Sequence, residues 1–427
     1  MANVKPFCGL RYDTSVVGDL SKVTAPPYDI ISESEQDALI ASHKNNIINL
    51  ELGKIFDTDT DENNRYTRAK DCLNDWISSG AMKFEETPAY YIYEEIFTVS
   101  GEEKHLRGII SAVELVPFSE KIVLPHEETL SKAKADRFSL MSETHANFSP
   151  IYFLYMDEKK TVNKIMTEVC KSAPDESFKT ADGIIHNVWV LTDKTLCAKI
   201  EESFKDKQLF IADGHHRYET ALNFSKTLPE NASAKYVMAF SVEMDDPGLV
   251  VLPTHRIVKN LESFSEDEVI EKLKSYFDIK KVVSGNVILD AEKMLSENQE
   301  VSSYVFYTGK DYFYFLSLTD MDAMAKLLPE KSSAYCGLDV SVLHTLILDN
   351  VFNIDMENMA NQKNLVYTKF AEEAVSAVKD NSADCSFLLN GTKVRQIKEV
   401  SLNNEKMPQK STYFYPKLIT GVVVNKF

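Results

Sequence analysis

At 427 residues the chain exceeds one ordinary domain, so two or three are expected, and 44% hydrophobic residues supply a sizeable core. Its 47 Lys and Arg against 65 Asp and Glu give a net charge of -18, which opposes attraction to phosphate backbones and disfavours a nucleic-acid partner. Met1–Leu20 lacks the apolar core of a secretory signal, no apolar run is long enough for a bilayer, and six scattered cysteines form no CxxC pair; a cytoplasmic protein with no membrane partner is expected.

In chain order, Ala25-Pro26-Pro27-Tyr28-Asp29 is a proline-marked turn. Ser32 and Glu35 form a capping-box pattern before Leu39 and Ile40, which predicts a helix. Tyr66, Ala69, Leu73, Trp76 and Ile77 recur at helical spacing and predict a second helix over 62–78. Residues 90–99 and 106–116, rich in aromatic and β-branched side chains, read as strands paired around Ser100-Gly101. Short strands at 150–156 and 186–191, with a helix at 161–170 between them, lead to the segment 209–222.

That segment reads LFIADGHHRYETAL. An apolar run ends at Asp213-Gly214, and a helical pattern starts with His215, His216 and Arg217 in its first turn. A strand that breaks at glycine and restarts as a helix aims backbone N–H groups at whatever lies beyond the turn, and the helix dipole favours an anion there. Arg217 and a histidine add side-chain donors, so a phosphate or carboxylate is the expected ligand. The simpler reading has Asp213 capping the helix with both histidines exposed. Adjacent histidines on a helix point about 100° apart, so they rarely ligate one ion together.

Beyond this segment, strands are expected near 236–242 and 248–257. Ser265 and Glu268 then form another capping pattern, leading into Val269, Ile270, Leu273, Tyr276 and Phe277 on one helical face. Residues 304–307 and 312–318 flank Thr308-Gly309-Lys310-Asp311 as a hairpin. Helices at 340–351, 368–379 and 393–400 and a strand-like end at 413–424 complete the chain. The mixture predicts an α+β fold without regular βαβ alternation. A boundary near 260 gives a core of residues 1–259 and a smaller α+β domain of residues 260–427, from which residues 407–421 could return to the site.

Four further polar segments sit beside apolar elements, where a site is held rigidly. In LPHEETLSKAKADR, His126, Glu127 and Glu128 are acid–base or metal-binding candidates, and Lys132, Lys134 and Arg137 could offset ligand charge, although a charged loop entering a solvated helix fits as well. In DPGLVVLPTHR, His255 and Arg256 end a strand-like run; they could face a cleft, or Arg256 could pair with a carboxylate. In MPQKSTYFYPK, Lys410, Ser411 and Thr412 offer a cation and two hydroxyls beside an aromatic wall, without the glycines of a Walker A loop. In APPYD, Asp29 is a candidate base or magnesium ligand, or part of an ordinary turn. No GxSxG, GxGxxG, HExxH or HRD signature occurs.

Taken together, PFCGLRYD, VTAPPYD, LPHEET, KADR, ADGHHRYETAL, DPGL, LPTHR and MPQKSTYFYPK resemble, in this order, the bacterial and archaeal family known as domain of unknown function 1015. More distantly, the strand, Asp-Gly turn, His/Arg and helix arrangement is similar to the nucleotide-phosphate motif of the ParB/sulfiredoxin superfamily. That superfamily includes CTP-binding partition proteins, ATP-using sulfiredoxins and free-serine kinases. The resemblance implies a ParB/sulfiredoxin-like nucleotide-binding core with large insertions, with Gly214, His215, His216 and Arg217 holding phosphates. This chain has His215 and His216 where sulfiredoxin has its cysteine, and it shows no basic DNA-binding region. Both departures favour the serine-kinase-like branch.

The expected function is a nucleotide-dependent phosphotransferase acting on a small hydroxylated metabolite, serine or phosphoserine. The resemblance implies ATP or ADP with Mg²⁺ as cofactors; the sequence assigns no resident metal and no oligomeric state. Asp29, Glu127 and Asp213 are the candidate carboxylates for accepting the hydroxyl proton. Substrate-binding candidates are His126, Arg137, His255, Lys410, Ser411 and Thr412. Alternatives are a non-catalytic nucleotide or phosphometabolite sensor, a phosphoserine phosphatase, a CTP switch on DNA, and a metalloenzyme built on His126, Glu127, His215 and His216.

Overall fold

The computed structural model describes residues 1–129, 131–320 and 322–427, with the side chains of residues 131–133 and 360 outside the description. The chain folds into two compact units, one made of Met1–Leu249 with Pro416–Phe427, the other of Val250–Tyr415. Both are mixed α+β. The sequence places the division at 259/260, whereas it falls at 249/250. The strand Val250–Leu252 pairs with Tyr413–Tyr415, so both stretches belong to the second unit. The segment after Tyr415 rejoins the first unit, where Asn425 and Lys426 pair with Asn147 and Ala146.

In the first unit the hairpin Tyr90–Val99 and Glu102–Glu114 forms as its β-branched and aromatic content predicts, with Ser100 and Gly101 at positive φ in the turn. It is the middle of a sheet with the order Val123–Leu124, Leu209–Asp213, Ile151–Tyr155, Tyr236–Glu243, Glu102–Glu114, Tyr90–Val99, Ile185–Leu191, Glu176–Lys179. The strand Leu209–Asp213 runs parallel to Val123–Leu124 and antiparallel to Ile151–Tyr155. One face buries Ile92, Ile109, Ile151, Phe153 and Ile211 against Tyr218, Ala221 and Phe224 of the helix His215–Ser225. A second cluster joins Leu10, Ile47, Ile48, Leu50, Leu73, Trp76, Leu140 and Phe148. Leu73 and Trp76 come from the helix Arg65–Ser78, which Asn64 caps. The Ser32–Glu35 capping box is present at the helix Glu33–Ser42.

The second unit is built on an antiparallel sheet with the order Phe277–Val283, Tyr312–Leu318, Ser303–Tyr307, Cys385–Leu389, His255–Val258, Leu365–Thr368. Alternation sends Tyr304 and Phe306 to one face and Val305 and Tyr307 to the other. The first face packs on Leu343, Leu346 and Ile347; the second packs on Ala374 and Val375 of the helix Ala371–Lys379.

Several expected elements are corrected. The strand expected over 248–257 is two strands, because Pro253 cannot donate to a ladder and the chain turns there. The helix after Ser265 ends at Leu273, and Phe277 opens a strand instead. The helix expected over 340–351 is a π-helix at Leu343–Asp349, flanked by short α turns. Within residues 413–424 a strand forms at Tyr413–Tyr415, where Pro416 ends the pairing, and Thr420 and Val424 then make isolated bridges to Ala25 and Leu10.

Candidate functional site

The first unit gathers its polar groups at one end of the strand Leu209–Asp213. Parallel register opposes Leu124 to Phe210, so Pro125, His126 and Glu127 emerge beside Ile211 and the turn that follows. Antiparallel register opposes Tyr152 to Asp213, which brings Ser149 and Pro150 to the same end. Between Ile211 and Asp213 the register shifts by one residue, a bulge of the kind that re-aims side chains next to sites. Gly214 follows at φ 94°, ψ 27°, and no side chain caps the helix that begins at His215. That left-handed conformation suits glycine. A Cβ at this position would also lie 3.1 Å from Arg217 Nε.

Asp213 does not cap the helix. Its Oδ2 accepts from Arg217 Nη2 at 2.5 Å, and its Oδ1 accepts from Lys417. Burial alone would raise the Asp213 pKa, but Lys417 and Arg217 overcome it and hold the carboxyl well below the usual range. Arg217 also donates Nη1 to the Pro150 carbonyl at 2.8 Å, so the guanidinium is fixed in place before any ligand arrives. Burial works against the Arg217 charge, yet Asp213, Asp29, Tyr28 and Glu51 together raise its pKa.

Neither histidine of the turn is simply exposed. His215 is buried with its ring 4.7 Å from that of His126. The His126 backbone N–H donates to His215 Nε2 at 3.2 Å, so His215 carries its proton on Nδ1, which faces Glu127 Oε2 at 3.9 Å. His126 donates Nδ1–H to the Ile211 carbonyl at 2.7 Å, and burial pushes its pKa down to about 4. His216 is half-buried; burial lowers its pKa, while the carboxylates Glu127, Glu219 and Asp29 act in the opposite sense. Glu219, one turn along, accepts from Lys134 Nζ and Thr129 Oγ1, each at 2.8 Å. The side chain of Lys132 lies outside the described residues.

Arg137 sits under the site, paired with Glu51 at 3.0 Å and with Asp136 at 2.5 Å. Its guanidinium carbon lies 3.9 Å from the centre of the Tyr28 ring. Burial lifts the Tyr28 pKa to about 12, against Arg217 and Arg137. A recess beside Arg217 is lined by Glu51, Arg137 and Ser149. Asp29, next to Tyr28, is exposed. The first unit therefore holds Asp29, His126, Glu127, Arg137, Asp213, Gly214, His215, His216 and Arg217 within one structural neighbourhood. Among the described residues, no three His, Cys, Asp or Glu side chains form a group able to hold a metal ion.

His255, Lys410, Ser411 and Thr412 belong to the second unit. His255 accepts from the Leu389 N–H at 3.3 Å through Nδ1, and burial lowers its pKa to about 4. Ser411 is buried and donates to the Pro408 carbonyl. Lys410 is exposed, at φ 56°, and its carbonyl accepts from Arg256.

Lys417 and Glu51 were not singled out by sequence. Lys417 closes the MPQKSTYFYPK segment, where its spacing from the KST triplet carries no signal, and only the return of the tail to the first unit shows its partner, Asp213. Glu51 had no sequence signal beyond a charge that follows Ile47-Ile48-Asn49-Leu50.

The family model described as protein of unknown function (DUF1015) matches residues 4–341. The chain belongs to this family. No curated protein matches it. Similar solved structures include a variant of a free serine kinase in complex with ADP, 15% identical at a TM-score of 0.34, covering 72% of this chain and 87% of that one. Another is a conserved hypothetical protein from Pyrococcus furiosus, 15% identical at 0.33, covering 72% and 90%. A third is SbnI with a C-terminal truncation from Staphylococcus aureus, 12% identical at 0.35, covering 72% and 84%. Likeness at this level transfers no residue roles. Among the described residues, no helix is long and apolar enough to cross a membrane.

Proposed function

We propose that this DUF1015 protein is a nucleotide-dependent phosphotransferase for a small hydroxylated metabolite, with serine or phosphoserine as the substrate. The observation that supports the reading is the uncapped helix start at Gly214, with Arg217 immobilised by Asp213 and Pro150 and with Lys417 alongside. A rigid array of donors aimed at one spot is what phosphoryl transfer demands of a protein, because catalysis there is largely positioning and charge stabilisation.

The amides of the first helical turn, Arg217 and His216 hold phosphate oxygens. ATP or ADP with Mg²⁺ would supply the phosphoryl chemistry when bound, with Asp29 and Glu127 the carboxylates at hand for the metal. Asp213 is a poor proton acceptor, since two cations hold it ionised. Glu127 faces His215. Asp29, exposed and electrostatically linked to both Arg217 and His216, takes the hydroxyl proton. Incubation with serine, Mg²⁺ and ATP or ADP, followed by phosphorus NMR, should show phosphoserine. Absence of turnover in both directions across a panel of hydroxy metabolites would overturn the reading.

A further inference from the structure

The second unit contains a buried cation that no carboxylate balances among the described residues. Arg256 is 0% exposed. Its Nε and Nη2 donate to His344 Nε2 at 3.3 and 3.2 Å, Nη2 also donates to the Lys410 carbonyl at 3.2 Å, and Nη1 donates to the Thr254 carbonyl. Because His344 accepts at Nε2, it is neutral and carries its proton on Nδ1. Burial pushes the Arg256 pKa down to about 10, which still leaves it charged at neutral pH; the groups acting in the opposite sense are Tyr367 and Tyr304, not an acid. A buried charge without a counter-charge is costly to the fold. A carbonyl is also a weaker acceptor for a guanidinium than an oxyanion.

Three further observations centre on the same group. The Tyr367 ring lies 4.7 Å from the Arg256 guanidinium carbon, and its hydroxyl is buried with no hydrogen-bond partner among the described residues. His344 stands in the π-helix Leu343–Asp349, an irregularity frequent at functional sites. The carbonyl from Lys410 comes from a residue at φ 56° whose side chain is exposed, in the segment that also carries Ser411 and Thr412.

We propose that Arg256 anchors a second anion site, wholly within the second unit, which takes a small oxyanion, a phosphate or carboxylate group, in place of the Lys410 carbonyl. Tyr367 donates its hydroxyl to the same anion, and His344 holds the guanidinium from the other side. The proposal does not depend on the phosphotransferase reading, which concerns the first unit.

The test is calorimetric titration of the full chain with inorganic phosphate and, separately, acetate, each against chloride at matched ionic strength. Wild type should bind oxyanion at both units, Arg217→Ala should keep the second-unit site, and Arg256→Gln should lose it. Tyr367→Phe, which preserves the ring, should weaken binding in the Arg217→Ala background by about tenfold. Preference for phosphate or for acetate identifies which oxyanion the site takes. Absence of saturable oxyanion binding in Arg217→Ala, or binding there that neither Arg256→Gln nor Tyr367→Phe alters, makes Arg256 a structural clamp and overturns the proposal. If Arg256→Gln fails to fold, the Arg217→Ala and Tyr367→Phe titrations decide alone. Loss of binding in Arg217→Ala with none remaining speaks against this site, whereas binding lost in Arg256→Gln with none at the first unit speaks against the phosphotransferase site instead.

Discussion

Lys417 and Asp213 stand 204 residues apart in the chain and form an ion pair in which Lys417 takes Oδ1 while Arg217 takes Oδ2. One carboxylate thus fastens the returning C-terminal segment and the first turn of the site helix together.

Replacing Lys417 with Met should remove one of the two cations that hold Asp213. Both side chains are largely buried, at 15% and 21% exposed, so the loss is expected to destabilise the first unit by about 2 kcal/mol. Urea denaturation checks the value. Phosphate or nucleotide affinity should fall as well, because Asp213, one of the two groups that anchor Arg217, is then held less tightly.

Gly214→Ala should act on the same geometry from the backbone. A non-glycine residue in this conformation costs about 1–3 kcal/mol. The new methyl would also press on the Arg217 guanidinium, at 3.1–3.2 Å. Reduced thermal stability together with weakened nucleotide binding is expected. Unchanged binding would show that the Arg217 position is not what the ligand uses.

Asp29→Asn separates chemistry from binding. As the proposed proton acceptor, Asp29 should lower kcat by about 100-fold or more when replaced. Nucleotide affinity, measured by calorimetry, should stay near wild type. Glu127→Gln run in parallel should leave most of the rate; the opposite pattern would move the acceptor role to Glu127.

Glu95 supplies a pH test away from the site. It is fully buried, accepts from the Tyr93 hydroxyl at 3.0 Å, and burial raises its pKa from an ordinary 4.5 to about 8. The folded protein therefore holds a proton that the unfolded chain has lost between those values. Its contribution to stability is full below about pH 4.5 and is lost as the pH rises through about 8. Glu95→Gln keeps the neutral form at every pH, so its Tm should match wild type near pH 5 and exceed it near pH 8, where its unfolding free energy should be larger by on the order of 3 kcal/mol. Equal Tm values at both ends would show that Glu95 is not protonated in the fold.

The local half of this protein was readable in its sequence. The Ser32–Glu35 box, the Tyr90–Val99 hairpin and the strand–glycine–helix junction at Asp213-Gly214 rest on contacts a few residues apart, so periodicity and capping residues specify them. Where neighbours compete, the local reading failed: Pro253 split one expected strand in two, and the expected helix over 340–351 became a π-helix around His344.

Charge partners were decided only by the tertiary structure. Sequence marked Asp213 as a cap or a base, but strand register and the returning tail gave it Arg217 and Lys417. Sequence allowed Arg256 a carboxylate, but sheet alternation turned it toward His344 and Tyr367, where no acid stands among the described residues. The reason is physical: the fate of a charge depends on which groups burial brings within about 4 Å, and that distance is set by packing across the chain rather than by position along it.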